Sequence, residues 1–139
     1  RAEQLGVAQR VRWLGAIPST HVAEFLRQLH VLVLPSRTTP RWKEQFGRVL
    51  VEAMACGVPV IGSDSGEIPR VIGDAGLVFA EGSAEQLANC IRLLVDQSET
   101  HHNLAQAARR RAMEYFSMKQ VAVQYVAFWQ QVIERQRTR

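Results

Sequence analysis

The sequence holds only two cysteines, Cys56 and Cys90, far apart and each in an apolar helical context. That excludes a disulfide framework and supplies no metal-ligand pair, and it fits a reduced, cytoplasmic setting. No apolar run approaches the roughly 20 residues that span a bilayer, and no signal-peptide pattern opens the chain. Aromatic residues make up 7%, with no stacking row and no motif of the kind that nucleic-acid binding needs. Internal repeats, low-complexity tracts and linkers are absent too, so the chain reads as one domain.

What is there suits a folded domain. With 139 residues, 47% of them hydrophobic and 22% charged, the chain is long enough for one real core and too short for two. The net charge of +4 comes from Lys and Arg spread along the chain, concentrated at Arg109-Arg110-Arg111 and in the tail from Glu134 to Arg139. The plain reading is a solvated helix face and a terminus; the sharper one is an anionic partner such as a membrane surface, which would make the protein peripheral there. Arg1 to Leu5 resembles the last turn of a helix, with Gly6 as its stop and no initiator Met. An N-terminally truncated domain is expected.

Short β-rich apolar runs alternate with helical stretches. Strands are expected at Val11–Leu14, Val31–Leu34, Val58–Ile61 and Gly76–Phe79, the second of them buried on both faces. Helices are expected from about His21 to Leu29, from Phe46 to Cys56 with Gly57 as stop, and around Ile68 to Ile72. This order implies right-handed βαβ units, and hence an α/β fold with a Rossmann-like parallel sheet flanked by helices over about residues 1–97. C-terminal helices follow over about 98–139. Ser83 with Gln86 and Ser117 with Gln120 fit capping boxes; the helices run from Ser83 to about Asp96, from Glu99 to Tyr115, and from Ser117 to about Arg135. In the last, Val121, Tyr125, Phe128 and Val132 share one face beside Trp129, a stripe that reads as core packing or as a face for a separate domain.

In an open parallel sheet, ligands bind outside the carboxyl ends of the strands. The loops there are Ser36 to Gln45, Gly62 to Pro69 and Ala80 to Ser83. The helix starting near Phe46 offers unpaired N–H groups and a positive dipole end to a phosphate, and Gly47 allows close approach. Glu52 lies among Val49, Leu50, Val51, Ala53, Met54 and Ala55, where a buried carboxylate is costly unless it accepts hydrogen bonds. Either a ligand or a pair with Arg48, four residues earlier, explains it, and the residues alone leave both open. In the second loop, Ser65 and Gly66 suit further backbone donors facing the same cleft, or an ordinary turn.

The run from Pro35-Ser36 through E-Q-F-G-R-V-L-V-E-A-M-A-C-G-V-P-V-I to G-E-I-P and A-G-L-V-F is similar to the retaining glycosyltransferases of group 1, family 4. Glu44 and Glu52, with seven residues between them, match that family's paired glutamates. The resemblance covers essentially the whole chain and is strongest from Val31 to Phe79. It implies the C-terminal, donor-binding domain of a two-domain GT-B enzyme, whose substrate is a nucleoside-diphosphate sugar such as a UDP- or GDP-sugar. Polysaccharide biosynthesis is one setting; no metal and no cofactor are implied.

By the same resemblance, Glu44 is the catalytic residue and bonds hydroxyls of the transferred sugar. The backbone of Phe46, Gly47, Arg48 and Val49 meets sugar and diphosphate, and Glu52 accepts from the ribose. Ser36, Gln45, Ser65 and Gly66 complete the donor-binding set, and Ala16-Ile17 lie near the base. Two departures stand out: Arg70 replaces a glutamate common in the family, and an insert, Arg37 to Lys43, precedes Glu44. That insert is a solvated loop or a contact for phosphate or an anionic acceptor. The resemblance also implies an acceptor-binding N-terminal domain and a first βα unit, with its Arg and Lys, preceding Arg1. The fragment alone is then expected to be inactive. A non-catalytic nucleotide-sugar-binding or scaffold module is the alternative; a sugar-nucleotide epimerase fits the E-x-F-G form less well.

Overall fold

The computed structural model describes residues 1–137. Its centre is a parallel sheet of β1 (Leu32–Leu34), β2 (Val60–Ser63) and β3 (Leu77–Phe79), in that spatial order. Leu32 stands opposite Val60, and Ile61 opposite Leu77. The helix α1 (Ser19–Leu26) leads into β1, α2 (Arg48–Ala55) links β1 to β2, and α3 (Ile68–Ile72) links β2 to β3. Three further helices follow: α4 (Ala84–Asp96), α5 (Ser98–Tyr115) and α6 (Met118–Arg137). This is the expected Rossmann-like sheet flanked by helices.

Alternation along the strands divides the core in two. Val60 joins Leu26, Leu50, Met54, Ile68 and Ile72 on the face covered by α1, α2, α3 and the second half of α5. Ile61 and Phe79 point the other way, onto Leu94 of α4. A side chain at Gly62 would run into Ile68 and Ile72, so this glycine lets α3 lie directly on β2. Leu50 and Met54 are fully buried, each contributing about 1.5–3 kcal/mol of hydrophobic stabilisation.

The helix starts follow local chemistry. Gly47 has φ +73 and ψ +53, a left-handed conformation that ends the loop, so α2 begins at Arg48 rather than at Phe46. Ser83 caps α4 by accepting from the Gln86 amide at 3.2 Å. The Gln86 side chain does not return to Ser83; its oxygen accepts from Ala80 N–H at 2.8 Å and ties the helix to the end of β3. At α6 the Ser117 hydroxyl accepts from Gln120 N–H at 3.4 Å.

Several expectations are corrected. Val11–Leu14 is not a strand: it pairs with no other segment among the described residues, and Trp13 is 89% exposed. Without a ladder partner the run stays irregular. β1 is half-buried rather than buried on both faces, because it lies at the sheet edge. The stripe on α6 is not core packing: that helix has no buried residue, and Tyr125, Phe128 and Trp129 are largely exposed. Nor is Arg111 part of a solvated face. It donates to the carbonyls of Val71 and Arg70 at 2.8 and 2.7 Å, closing the end of α3. Of the basic tail, Thr138 and Arg139 lie outside the described residues. Among those described, no helix is long and apolar enough to cross a membrane.

Candidate functional site

The three strand exits are stitched together at the carboxyl edge of the sheet, and Glu44 is at the centre of the stitching. The Ser63 hydroxyl, at the end of β2, donates to the Ser36 carbonyl at 2.6 Å. The Ser36 hydroxyl donates to Glu44 Oε2 at 3.2 Å, while Gly47 N–H donates to Glu44 Oε1 at 3.0 Å. Glu67 N–H donates to the Glu44 carbonyl at 3.1 Å. Both backbone and carboxylate of Glu44 are therefore held. A carboxylate offers about four lone-pair directions, so two bonds leave acceptor capacity for hydroxyl donors.

Sequence reasoning missed the residues that complete this frame. Thr38 Oγ1 meets the Ser65 hydroxyl at 2.9 Å, and Thr38 N–H donates to Glu81 Oε2 at 2.6 Å. Glu81 N–H in turn donates to Asp64 Oδ1 at 2.7 Å. Only the concentration of small polar residues in these loops signalled such a role. Ser65 is fully buried, so its hydroxyl serves the frame rather than an open cleft. Gly66 has φ +57, and a Cβ there would overlap the Glu44 carbonyl.

The start of α2 presents donors beside this carboxylate. Leu50 N–H is satisfied by the Gly47 carbonyl at 2.8 Å. No hydrogen bond caps the N–H groups of Arg48 and Val49 among the described residues, leaving them available to an anion. A side chain at Gly47 would press on Leu50 and Leu34, and its positive φ favours glycine in any case.

Glu52 is less buried than its apolar neighbours suggested. Its side chain is 38% exposed and pairs with Arg48, whose Nε lies 3.1 Å away. The pair lines a groove of about 410 Å³ between α1 and α2, together with Ser19, Arg27 and Cys56. Ala16 and Ile17 precede α1 and do not line that groove. Glu44 precedes α2 and Glu52 lies on it, and Arg48, the first residue of α2, pairs with Glu52. Gln45 is exposed. The Phe46 ring turns away from the groove and packs edge-on against Phe116, with centroids 5.7 Å apart. It borders a separate cavity of about 290 Å³ with Glu67, Arg70 and Arg111. Arg70, at the departure from the common motif, pairs with Glu67 at 3.3 Å. Among the described residues no group of three or more His, Cys, Asp or Glu is placed to hold a metal ion.

Comparison with known proteins gives a consistent picture. The family described as glycosyl transferases group 1 matches residues 1–111. The chain is 38% identical over 134 residues to the N-acetyl-alpha-D-glucosaminyl L-malate synthase of Bacillus anthracis, covering 94% of this chain and 33% of that protein. It is 30% identical over 135 residues to the MMP alpha-(1->4)-mannosyltransferase of Mycolicibacterium hassiacum, covering 95% and 32%. The chain spans about a third of the length of these relatives. Among solved structures, sucrose-phosphate synthase from Thermosynechococcus elongatus superposes with a TM-score of 0.81 at 28% identity, covering 96% of this chain and 33% of that one. Anabaena HepE, solved in complex with UDP, superposes at 0.82 with 24% identity, covering 94% and 35%; this likeness bears on the fold alone.

Proposed function

The chain belongs to the glycosyl transferases group 1 family, and from that premise we propose that it is the donor-binding part of a longer, retaining family 4 glycosyltransferase. The donor is a nucleoside-diphosphate hexose. The observation that carries the reading is the placement of Glu44: a carboxylate fixed by Ser36 and Gly47, one turn from the uncapped N–H groups of α2.

In this reading the nucleoside enters the groove between α1 and α2, where Glu52 accepts from the ribose hydroxyls. Ribose binding would take Glu52 away from Arg48, an exposed pair worth only about 0–1 kcal/mol. The diphosphate meets the N–H groups of Arg48 and Val49, and the sugar hydroxyls donate to Glu44. An acceptor hydroxyl then replaces the diphosphate on the same face of the anomeric carbon, its proton passing to the departing phosphate oxygen. As that bond breaks, the start of α2 stabilises the charge developing on the leaving phosphate. Most of the acceptor site lies on a further domain of the same protein, so this chain alone does not catalyse transfer. The N-acetylglucosaminyl and mannosyl groups in the names of the relatives are in keeping with a hexose donor.

The test is donor consumption by the full-length protein with UDP-glucose, UDP-N-acetylglucosamine and GDP-mannose, followed by product stereochemistry. The reading predicts that one donor is consumed with retention and that Glu44→Gln lowers turnover at least about a hundredfold. Donor binding without consumption would instead favour a non-catalytic module.

A further inference from the structure

We propose that the hairpin preceding Glu44 binds the negatively charged group of an anionic acceptor through Arg41 and Lys43. This rests on the function proposed above, because it sets the acceptor's charge against the sugar held by Glu44.

The insert is an ordered element rather than a slack loop. Thr39 and Trp42 form an antiparallel bridge, with Thr39 N–H donating at 2.7 Å to the Trp42 carbonyl and Trp42 N–H returning at 3.3 Å. The Thr39 hydroxyl also donates to the Trp42 carbonyl at 3.3 Å and accepts from Arg41 N–H at 3.4 Å. On one side the hairpin is pinned by Thr38 to Glu81 and Ser65, and on the other it ends in the fixed Glu44. A rigid element of this kind holds its charges in place without a large ordering cost on binding.

Its cations are unspent. Arg37 lies back along the turn at Gly82, but Arg41 and Lys43 are exposed and pair with no carboxylate among the described residues. The nearby acids are otherwise engaged: Glu81 and Asp64 accept from backbone N–H groups, and Glu44 from Gly47 and Ser36.

Position selects the acceptor over the donor. From β1 the insert reaches the exit of β2, at Ser65, and the exit of β3, at Glu81, through Thr38. None of its residues lines the groove between α1 and α2 that takes the nucleoside. The diphosphate has its own donors at α2. A charge carried by the incoming molecule, beyond the sugar, is what remains for the hairpin.

The experiment titrates full-length protein, saturated with the nucleoside diphosphate it binds, with glucose 6-phosphate and with glucose. Wild type is compared with Arg41→Ser/Lys43→Ser and with a charge-matched control, Arg92→Ser/Lys119→Ser. The expected result is that glucose 6-phosphate binds at least about tenfold more tightly than glucose. That preference disappears in the hairpin variant, survives in the control, and leaves nucleotide affinity unchanged. Equal binding of the two sugars, or a preference that persists in the hairpin variant, overturns the proposal. A loss of nucleotide affinity in the hairpin variant assigns these cations to the donor and overturns it as well. If no nucleoside diphosphate binds wild type, the proposed function itself fails and this inference falls with it.

Discussion

Gly66 sits so close to Glu44 that a Cβ on the glycine would overlap the Glu44 carbonyl oxygen, and the next amide, Glu67 N–H, donates to that same oxygen at 3.1 Å. The second loop therefore sets the height of the first. Any atom added at Gly66 has to move the residue that carries the proposed chemistry.

Gly66→Ala is accordingly expected to do more than strain its own backbone. The left-handed φ of +57 costs a non-glycine residue about 1 kcal/mol, and the overlap displaces Glu44. On the proposed function, donor turnover by the full-length protein should fall at least about tenfold. Gly57→Ala is the comparison: its φ is +76, but nothing lies within 4 Å of a Cβ there. It should lower the melting temperature while leaving turnover near wild type. Equal turnover in the two variants would refute the coupling.

Arg111 links the C-terminal helices to α3, the helix that follows this loop. Its guanidinium donates to two carbonyls at the end of α3 and lies 5.0 Å from the Tyr115 ring centre. Arg111→Ala should destabilise the fold by about 2–3 kcal/mol, from two charge-assisted bonds and a cation–π contact. Arg111→Lys should recover only part, since an ammonium cannot fork to both carbonyls. Arg110→Ala, at an exposed neighbour, should stay within about 0.5 kcal/mol of wild type. Urea unfolding of the three variants measures this, and similar losses at positions 110 and 111 would contradict it.

Much of this architecture was legible in the sequence, and the failures share a cause. Strand β2, which begins two residues later than expected, and the Ser83 cap could be read because their signals are local: an apolar run, and a serine three residues before its donor. Val11–Leu14 has the same local character, but a strand exists only through its ladder, and no segment among the described residues pairs with it. Glu52 misled in the opposite direction. Its apolar neighbours face two sides of α2, and the third side opens on the α1 groove, which no periodicity count reveals. Glu44 was singled out through its motif, and its hydrogen-bonded neighbours Thr38, Asp64 and Glu81 emerge only when the three strand exits meet. Arg111 was misread because a run of three arginines carries no sign of which one turns inward.

The two cysteines should differ in reactivity. Burial against the Ile61, Phe79 and Leu94 cluster pushes the Cys90 thiol above its ordinary pKa, whereas Cys56 lines the open α1–α2 groove. Iodoacetamide at pH 8 should label Cys56 first, and Cys90 should catch up only as the pH rises beyond the usual thiol range. Because folding favours the protonated Cys90, its contribution to stability is present at neutral pH and is lost as the pH climbs through the raised pKa. Faster labelling of Cys90 than of Cys56 in folded protein, followed by mass spectrometry, would count against this packing.

The most direct test of the donor site is calorimetric titration of the full-length protein and its Glu52→Ala variant with UDP, GDP and ADP. One nucleotide should bind the wild type, and the variant, still folded by circular dichroism, should bind it at least about tenfold more weakly. If none of the three binds, or if the variant binds as tightly as wild type, the groove between α1 and α2 is not where the donor sits.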